Sequence, residues 1–237
     1  MNNNEKILNS KDWDFQWENI FDHYQQDMRH AFYINAILNP NDKEILELGA
    51  GSFRDIVMLN KLGISCSGID YSDIAIKFAQ EKYPDLKNKI IRDNIFKMNF
   101  KDNSFDLSYH NGLIGYYENN DILSIFKEQA RVSSKRIVAT VHNKHNIGFF
   151  EYFEKLKKKD SLYDLRFFEV DEMQELLRDV CSNVVIIPVG KRKEYYEDYL
   201  IKIGLNDPKS IKKSFDYHGM DLLNESERLM CIGELKK

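Results

Sequence analysis

The stretch EILELGAGSFRDI, residues 44–56, constrains the fold of this chain more than any other feature. A short apolar run carrying one acid, Glu47, ends in Gly49, Ala50 and Gly51 and passes directly into residues of helical pattern. Two glycines one residue apart at the end of a strand permit a tight turn and bring the backbone close to a ligand. Strand, glycine turn and helix in that order begin a βαβ unit, which commits the chain to a parallel sheet with helices on its faces.

The remaining pattern continues the alternation. Helix is expected over 52–62, strand over 65–69, helix over 72–83 and a short strand over 89–92. A fourth strand is read at 105–110, a helix at 121–132 and a fifth strand at 136–141. Helical segments at 147–159 and 171–179 then precede strands at 183–188 and 228–235. The expected fold class is α/β, a doubly wound, mostly parallel sheet of seven strands, whose ligands sit at the carboxyl ends of the strands. Residues 1–43, with the aromatic stripe Trp13, Phe15, Trp17, Phe21 and Tyr24, are expected to form an N-terminal helical cap. Residues 44–237 form the ligand-binding domain, with a polar and aromatic insertion at about 191–225 that no pattern assigns.

Composition narrows the partners. A chain of 237 residues has room for one ordinary α/β core. A net charge of −4 and no long basic stripe argue against nucleic acid as a partner. Three widely spaced cysteines, Cys66, Cys181 and Cys231, form no CxxC pair, and neither a disulfide framework nor a metal site is expected. No apolar segment has the length of a signal peptide or a membrane span, so no membrane partner and a cytoplasmic location are expected.

The glycine turn itself discriminates among nucleotides. A nicotinamide dinucleotide turn needs a third glycine, and that position is Arg54; a triphosphate loop needs a later Gly-Lys followed by Ser or Thr, which is missing. What remains is an acid two residues before the first glycine, which suits a ligand bearing an ammonium and a sulfonium better than one bearing phosphates.

At this point the chain resembles the class I S-adenosylmethionine-dependent methyltransferases, in their small-molecule type. ELGAG is similar to the first motif of that family, GIDYS at 68–72 to its second, IIRDNIF at 90–96 to its third, and NSFDLSYHNGLIGYY at 103–117 to its fourth. The resemblance implies a Rossmann-like methyltransferase fold and S-adenosylmethionine as cofactor, with S-adenosylhomocysteine as product. It places Glu47, Gly49, Ala50 and Gly51 at the methionine end of the cofactor and Asp70 on the ribose hydroxyls. The same resemblance implies that Tyr71 is able to lie against the adenine, that Asp93 reads the adenine amino group beside Asn94 and Ile95, and that Asn111 lies near the methionine moiety. Two departures stand out: Phe53 replaces a frequent glycine, and Gly115 and Tyr116 replace a Glu-His pair, so substrate specificity does not transfer.

His110 and His142 end the fourth and fifth strands, and either could act as general base, with packing as the alternative for each. Methyl transfer depends chiefly on alignment, and no strong base is required. Tyr24, Tyr116 and Tyr117 are candidates to line the acceptor pocket, with core packing as their alternative. Asn111-Gly112-Leu113-Ile114 lacks the Pro-Pro-aromatic signature of enzymes that methylate exocyclic base amines. The expected reaction is methyl transfer to an oxygen or nitrogen of a small molecule, such as a sugar, a nucleotide-linked metabolite or a surface-glycan precursor. A nicotinamide-dependent oxidoreductase and a non-catalytic S-adenosylmethionine-binding regulatory module stay open as alternatives, as does the oligomeric state.

Overall fold

The computed structural model describes residues 10–190 and 196–236. Two helices, α1 (Ser10–Tyr24) and α2 (Arg29–Ile37), precede β1 (Glu44–Leu48), α3 (Arg54–Lys61), β2 (Ser65–Asp70), α4 (Asp73–Lys82) and β3 (Ile90–Arg92). There follow β4 (Phe105–Asn111), α5 (Asn119–Val132), β5 (Ser133–His142), α6 (Ile147–Leu156) and α7 (Val170–Arg178). The chain closes with β6 (Cys181–Val189), α8 (Tyr196–Lys202), α9 (Pro208–His218) and β7 (Arg228–Leu235).

The strands form one seven-stranded sheet in the order β3-β2-β1-β4-β5-β7-β6. Its pairs are parallel except those of β7, which runs antiparallel to both β5 and β6. This is the expected doubly wound α/β architecture. Ile45, Leu46 and Leu48 in β1 are all inaccessible to solvent, as a strand covered on both faces requires.

Alternation along the strands sorts their side chains onto two faces. Ile45, Tyr109, Val138 and Met230 share a cluster with residues of α2, α3 and α9. Leu46, Ile137, Ala139 and Cys231 share the other with residues of α5 and α7. The helices match: α5 buries Ile122, Ile125, Phe126, Gln129 and Val132 at helical spacing, and α7 opens with a capping box between Glu169 and Glu172. After β1 the chain crosses to β2 on one side, and β4 pairs on the other, so a crevice opens at the carboxyl end of β1.

The N-terminal region divides. In α2, Ala31, Tyr33, Ile34 and Ala36 are buried in the body of the fold, whereas α1 leaves Phe15 exposed and lies over the crevice. The described part of the unassigned insertion forms α8 and α9, which dock on α2. Asp198 accepts from the Tyr33 hydroxyl and from Arg29 Nη1 at 2.8 Å, and the rings of Tyr33 and Phe215 meet edge to face with centroids 5.8 Å apart. Among the described residues no helix is long and apolar enough to cross a membrane.

Candidate active site

The glycine turn is fixed by its own backbone and by what leans on it. Gly49 and Gly51 have φ of +60° and +52°, in the region that favours glycine. A Cβ on Gly49 would meet Leu113 Cδ1 at 2.7 Å, and one on Gly51 would meet the Trp17 ring at 2.1 Å. Ala50 N–H donates to the Ile69 carbonyl and Phe53 N–H to the Ala50 carbonyl, each at 2.9 Å. Phe53 also has a positive φ, +56°, at a cost of about 1–2 kcal/mol. Its phenyl ring is wholly buried in the cluster with Ile45 and Ile56, which is worth about 1.5–3 kcal/mol. Phe53 therefore packs beneath the turn and leaves the space above it clear.

That space is a cavity of about 510 Å³ at the carboxyl edge of the sheet, within the usual range for small-molecule sites. Its β1–β2 end is acidic. Glu47 is buried, and its Oε2 has no hydrogen-bond partner. Burial and the charge of Asp55 hold its carboxyl well above the ordinary glutamate range. Asp70 accepts from Gly51 N–H at 2.8 Å and Ser72 N–H at 2.9 Å. Burial nevertheless raises its pKa, against the pull of those backbone bonds. Asp55 lies 2.6 Å from His30 Nδ1, and His30 Nε2 lies 2.9 Å from Thr140 Oγ1, so a buried polar chain backs this wall. Tyr71 is half-exposed, with the Arg92 guanidinium 4.7 Å from its ring centroid, and Asn94 and Ile95 complete the side wall.

The other end is aromatic. Asp14 pins α1 across the opening by accepting from Ser72 Oγ at 2.6 Å and Ile74 N–H at 3.1 Å, at the start of α4. Trp13 meets Tyr116 edge to face at 5.1 Å, and Trp17 meets Tyr24 at 5.6 Å. The Tyr116 hydroxyl donates to the Leu162 carbonyl at 2.8 Å, and the Tyr117 ring meets Phe96 at 5.5 Å. Burial raises both hydroxyl pKa values, that of Tyr117 to about 12, so neither is a base at neutral pH. His142 stacks on Phe149 with centroids 6.2 Å apart, and its Nδ1 is buried without a partner. Burial and the neighbouring Arg228 charge hold it far below the ordinary histidine pKa, so the ring is neutral. Burial brings Arg228 down to about 10, which leaves it cationic at neutral pH.

Sheet register explains which expected residues meet here. Asn111 pairs with Thr140, and His142 pairs with Arg228. With Glu47, the side chains of Asn111, His142 and Arg228 lie on one sheet face at its carboxyl edge and line the cavity. All the residues expected from sequence line it except Gly51, Asp93 and His110. Gly51 is covered by Trp17. The Asp93 carboxylate is turned into its own loop, where it accepts from Asn94 N–H at 2.8 Å, Asn99 N–H at 2.8 Å and Asn99 Nδ2 at 3.0 Å. His110 points to the opposite sheet face, stacked on Phe126 of α5 with centroids 6.3 Å apart and with neither nitrogen partnered. Burial holds it down to about 3, so the structure removes it as a base facing the cavity.

Three charged residues of the site lay outside the sequence expectation. Arg54, read only as a missing glycine, lines the cavity and donates to the Tyr24 carbonyl at 2.8 Å. Asp55 is the next residue on the same helix turn. Arg228 reaches the edge because β7 is antiparallel, so its first residue stands where the other strands have their last; a lone arginine opening an apolar strand was the available signal.

Residues 46–136, from β1 into β5, match the family model described as a methyltransferase domain. No curated protein sequence matches the chain. Solved structures share its fold. A Thermotoga maritima protein described as an S-adenosylmethionine-dependent, possible histamine N-methyltransferase is 18% identical at a TM-score of 0.62, over 94% of this chain and 100% of that one. An Archaeoglobus fulgidus S-adenosylmethionine-dependent methyltransferase is 13% identical at 0.62, over 94% and 97%. The geranyl diphosphate C-methyltransferase of Streptomyces coelicolor A3(2), solved with Mg2+, geranyl-S-thiolodiphosphate and S-adenosylhomocysteine, is 14% identical at 0.56, over 88% and 75%. Identities this low speak for the fold, and the match over 46–136 speaks for the chemistry. Together with the ELGAG turn they mark residues 46–136 as similar to a methyltransferase domain, on a fold shared with S-adenosylmethionine-dependent methyltransferases.

Proposed function

We propose that the chain transfers the cofactor's methyl group to an oxygen or nitrogen of a small molecule bound at the aromatic end of the cavity. The supporting observation is that one continuous cavity carries both a buried carboxyl oxygen without a hydrogen-bond partner, Glu47 Oε2, and an open aromatic compartment beyond it. A purely regulatory binding module would have that compartment filled by side chains.

The residues present fit the cofactor. Asp70 accepts the ribose hydroxyls, for which a carboxylate is the natural partner. Glu47 Oε2 takes the ammonium, and the backbone at Gly49 and Ala50 lies along the methionine chain, close because no Cβ intervenes at Gly49. Tyr71, Asn94 and Ile95 flank the adenine, and Asn111 stands between the two ends of the cavity. When bound, S-adenosylmethionine supplies an electrophilic methyl carbon on a sulfonium.

The chain's own contribution is then alignment and exclusion of water. Trp13 and Tyr116 close the roof, while Tyr24 and Tyr117 line the acceptor compartment. His142, neutral and with Nδ1 unpartnered, accepts a hydrogen bond from the nucleophile; with so low a pKa it orients more than it deprotonates. Rings with few polar side chains suit a flat, partly apolar acceptor better than a free sugar or a sugar-bearing glycan precursor.

Incubating the folded protein with methyl-labelled cofactor and fractionated cell extract tests this reading. Label is expected in the small-molecule fraction. Label confined to protein or nucleic acid, or none in any fraction, would contradict it.

A further inference from the structure

The acceptor end of the cavity holds a cation that Glu227 opposes only through space and that keeps one buried nitrogen without a hydrogen bond. Arg228 opens β7 and pairs with His142 on β5 and Val189 on β6. Its Nη1 is sealed from solvent without a hydrogen-bond partner, and among the described residues no carboxylate forms an ion pair with its guanidinium. The adjacent acid is committed elsewhere: Glu227 Oε2 accepts from Arg29 Nη2 at 3.1 Å. Among the described residues, the ring facing the guanidinium is Phe149, 5.9 Å to its centroid. A guanidinium nitrogen sealed from water without a partner costs stability, and a cavity wall keeps one most readily where a ligand brings the opposite charge.

The cofactor is not the natural source of that charge. β7 stands three strands from β1, and at about 4.8 Å per strand Arg228 lies roughly 14 Å across the sheet from the strand carrying Glu47. Arg54, beside the glycine turn, is the cation nearer the methionine end. Around Arg228 the cavity offers His142, Phe153, Tyr163 and Leu165, a largely apolar and planar lining. A single guanidinium with Glu227 next to it in the chain matches one negative charge; it is poorly suited to a phosphate dianion, whereas its forked donors fit a carboxylate.

We propose that the methyl acceptor is a carboxylate on a flat, largely apolar body, and that Arg228 binds that carboxylate as the residue setting acceptor specificity. The proposal rests on the cavity being the site of methyl transfer, as argued above. The carboxylate at Arg228 and the rings around the body would hold the nucleophile toward Asn111 and the cofactor, with His142 alongside.

The test is calorimetric titration of the full chain, saturated with S-adenosylhomocysteine, with benzoate, its neutral isostere benzamide, and phenyl phosphate. Benzoate is expected to bind at least about tenfold more tightly than either of the others. R228M is expected to weaken benzoate about tenfold or more while leaving benzamide and S-adenosylhomocysteine within about twofold, and R228K is expected to recover part of the benzoate affinity. Melting curves of both variants report whether they fold. Benzoate binding no tighter than benzamide, or failing to bind while S-adenosylhomocysteine binds normally, would overturn the proposal alone. Phenyl phosphate binding more tightly than benzoate would overturn the assignment to a carboxylate. R228M weakening S-adenosylhomocysteine and sparing benzoate would return Arg228 to the cofactor. Failure of the folded wild-type protein to bind S-adenosylhomocysteine would bring down this proposal and the methyl-transfer reading together.

Discussion

The β1–β2 end of the cavity presents three carboxyls, Glu47, Asp55 and Asp70, held among backbone amides and a buried histidine. The β5–β7 end presents rings, a neutral histidine and one arginine. Both sit on the same sheet face at the same edge, so the fold does not distinguish them. The contrast teaches that side-chain charge divides the cavity: the acidic end suits a ligand with cationic groups and vicinal hydroxyls, and the other suits an apolar body with a negative charge.

Substitutions at the acidic end should break the contrast most sharply. Asp70→Ala is expected to remove the two charge-assisted hydrogen bonds proposed to the ribose, worth roughly 3 kcal/mol, and so to weaken S-adenosylhomocysteine about 100-fold by calorimetry. Gly49→Ala combines a strained φ with a 2.7 Å approach to Leu113, and a lowered melting temperature with about tenfold weaker cofactor binding is expected.

Glu47 gives a pH signature. Its folded pKa is raised by burial and by Asp55, and the cofactor's ammonium should draw it back down. Binding is then expected to release a proton, read as a dependence of calorimetric heat on buffer ionisation enthalpy, and to tighten as pH rises. For stability the sign is the reverse. The contribution of the raised pKa is complete below the unfolded glutamate value of about 4.3 and is lost as pH rises through the higher folded value. Glu47→Gln should flatten both dependences and cost up to about tenfold in cofactor affinity at alkaline pH. The smallest effect is expected at His110→Leu: S-adenosylhomocysteine affinity within about twofold of wild type, and a melting temperature no lower, because two buried nitrogens without partners are removed.

Much of both ends was legible in the sequence, Glu47 and Asp70 at one and Tyr24, Tyr116, Tyr117 and His142 at the other, whereas the charges of Arg54, Asp55 and Arg228 were not, for a physical reason. Glu47 and Asp70 lie at the carboxyl ends of β1 and β2 and the glycines follow β1 directly, and local pattern places such residues at the edge. His110 shows where that reasoning fails: ending a strand brings a residue to the edge, but the two-residue alternation decides which face it occupies, and the register that fixes it is non-local. Asp93 stands at the expected turn, yet its carboxylate is spent on Asn94 and Asn99, which spacing does not reveal. Arg228 depended on strand direction, since an antiparallel β7 delivers its first residue to the edge. Residues 191–225 gave no pattern because their two described helices are short and owe their place to docking on α2 through Asp198 and Phe215.

A crystal structure of the full chain with S-adenosylhomocysteine tests the division of the cavity most directly. The expected result has both ribose hydroxyls within hydrogen-bond distance of the Asp70 carboxylate, the ammonium on Glu47 and the Arg228 guanidinium untouched. The contradicting result has the ligand's own carboxylate seated on Arg228, with the adenosine away from β2.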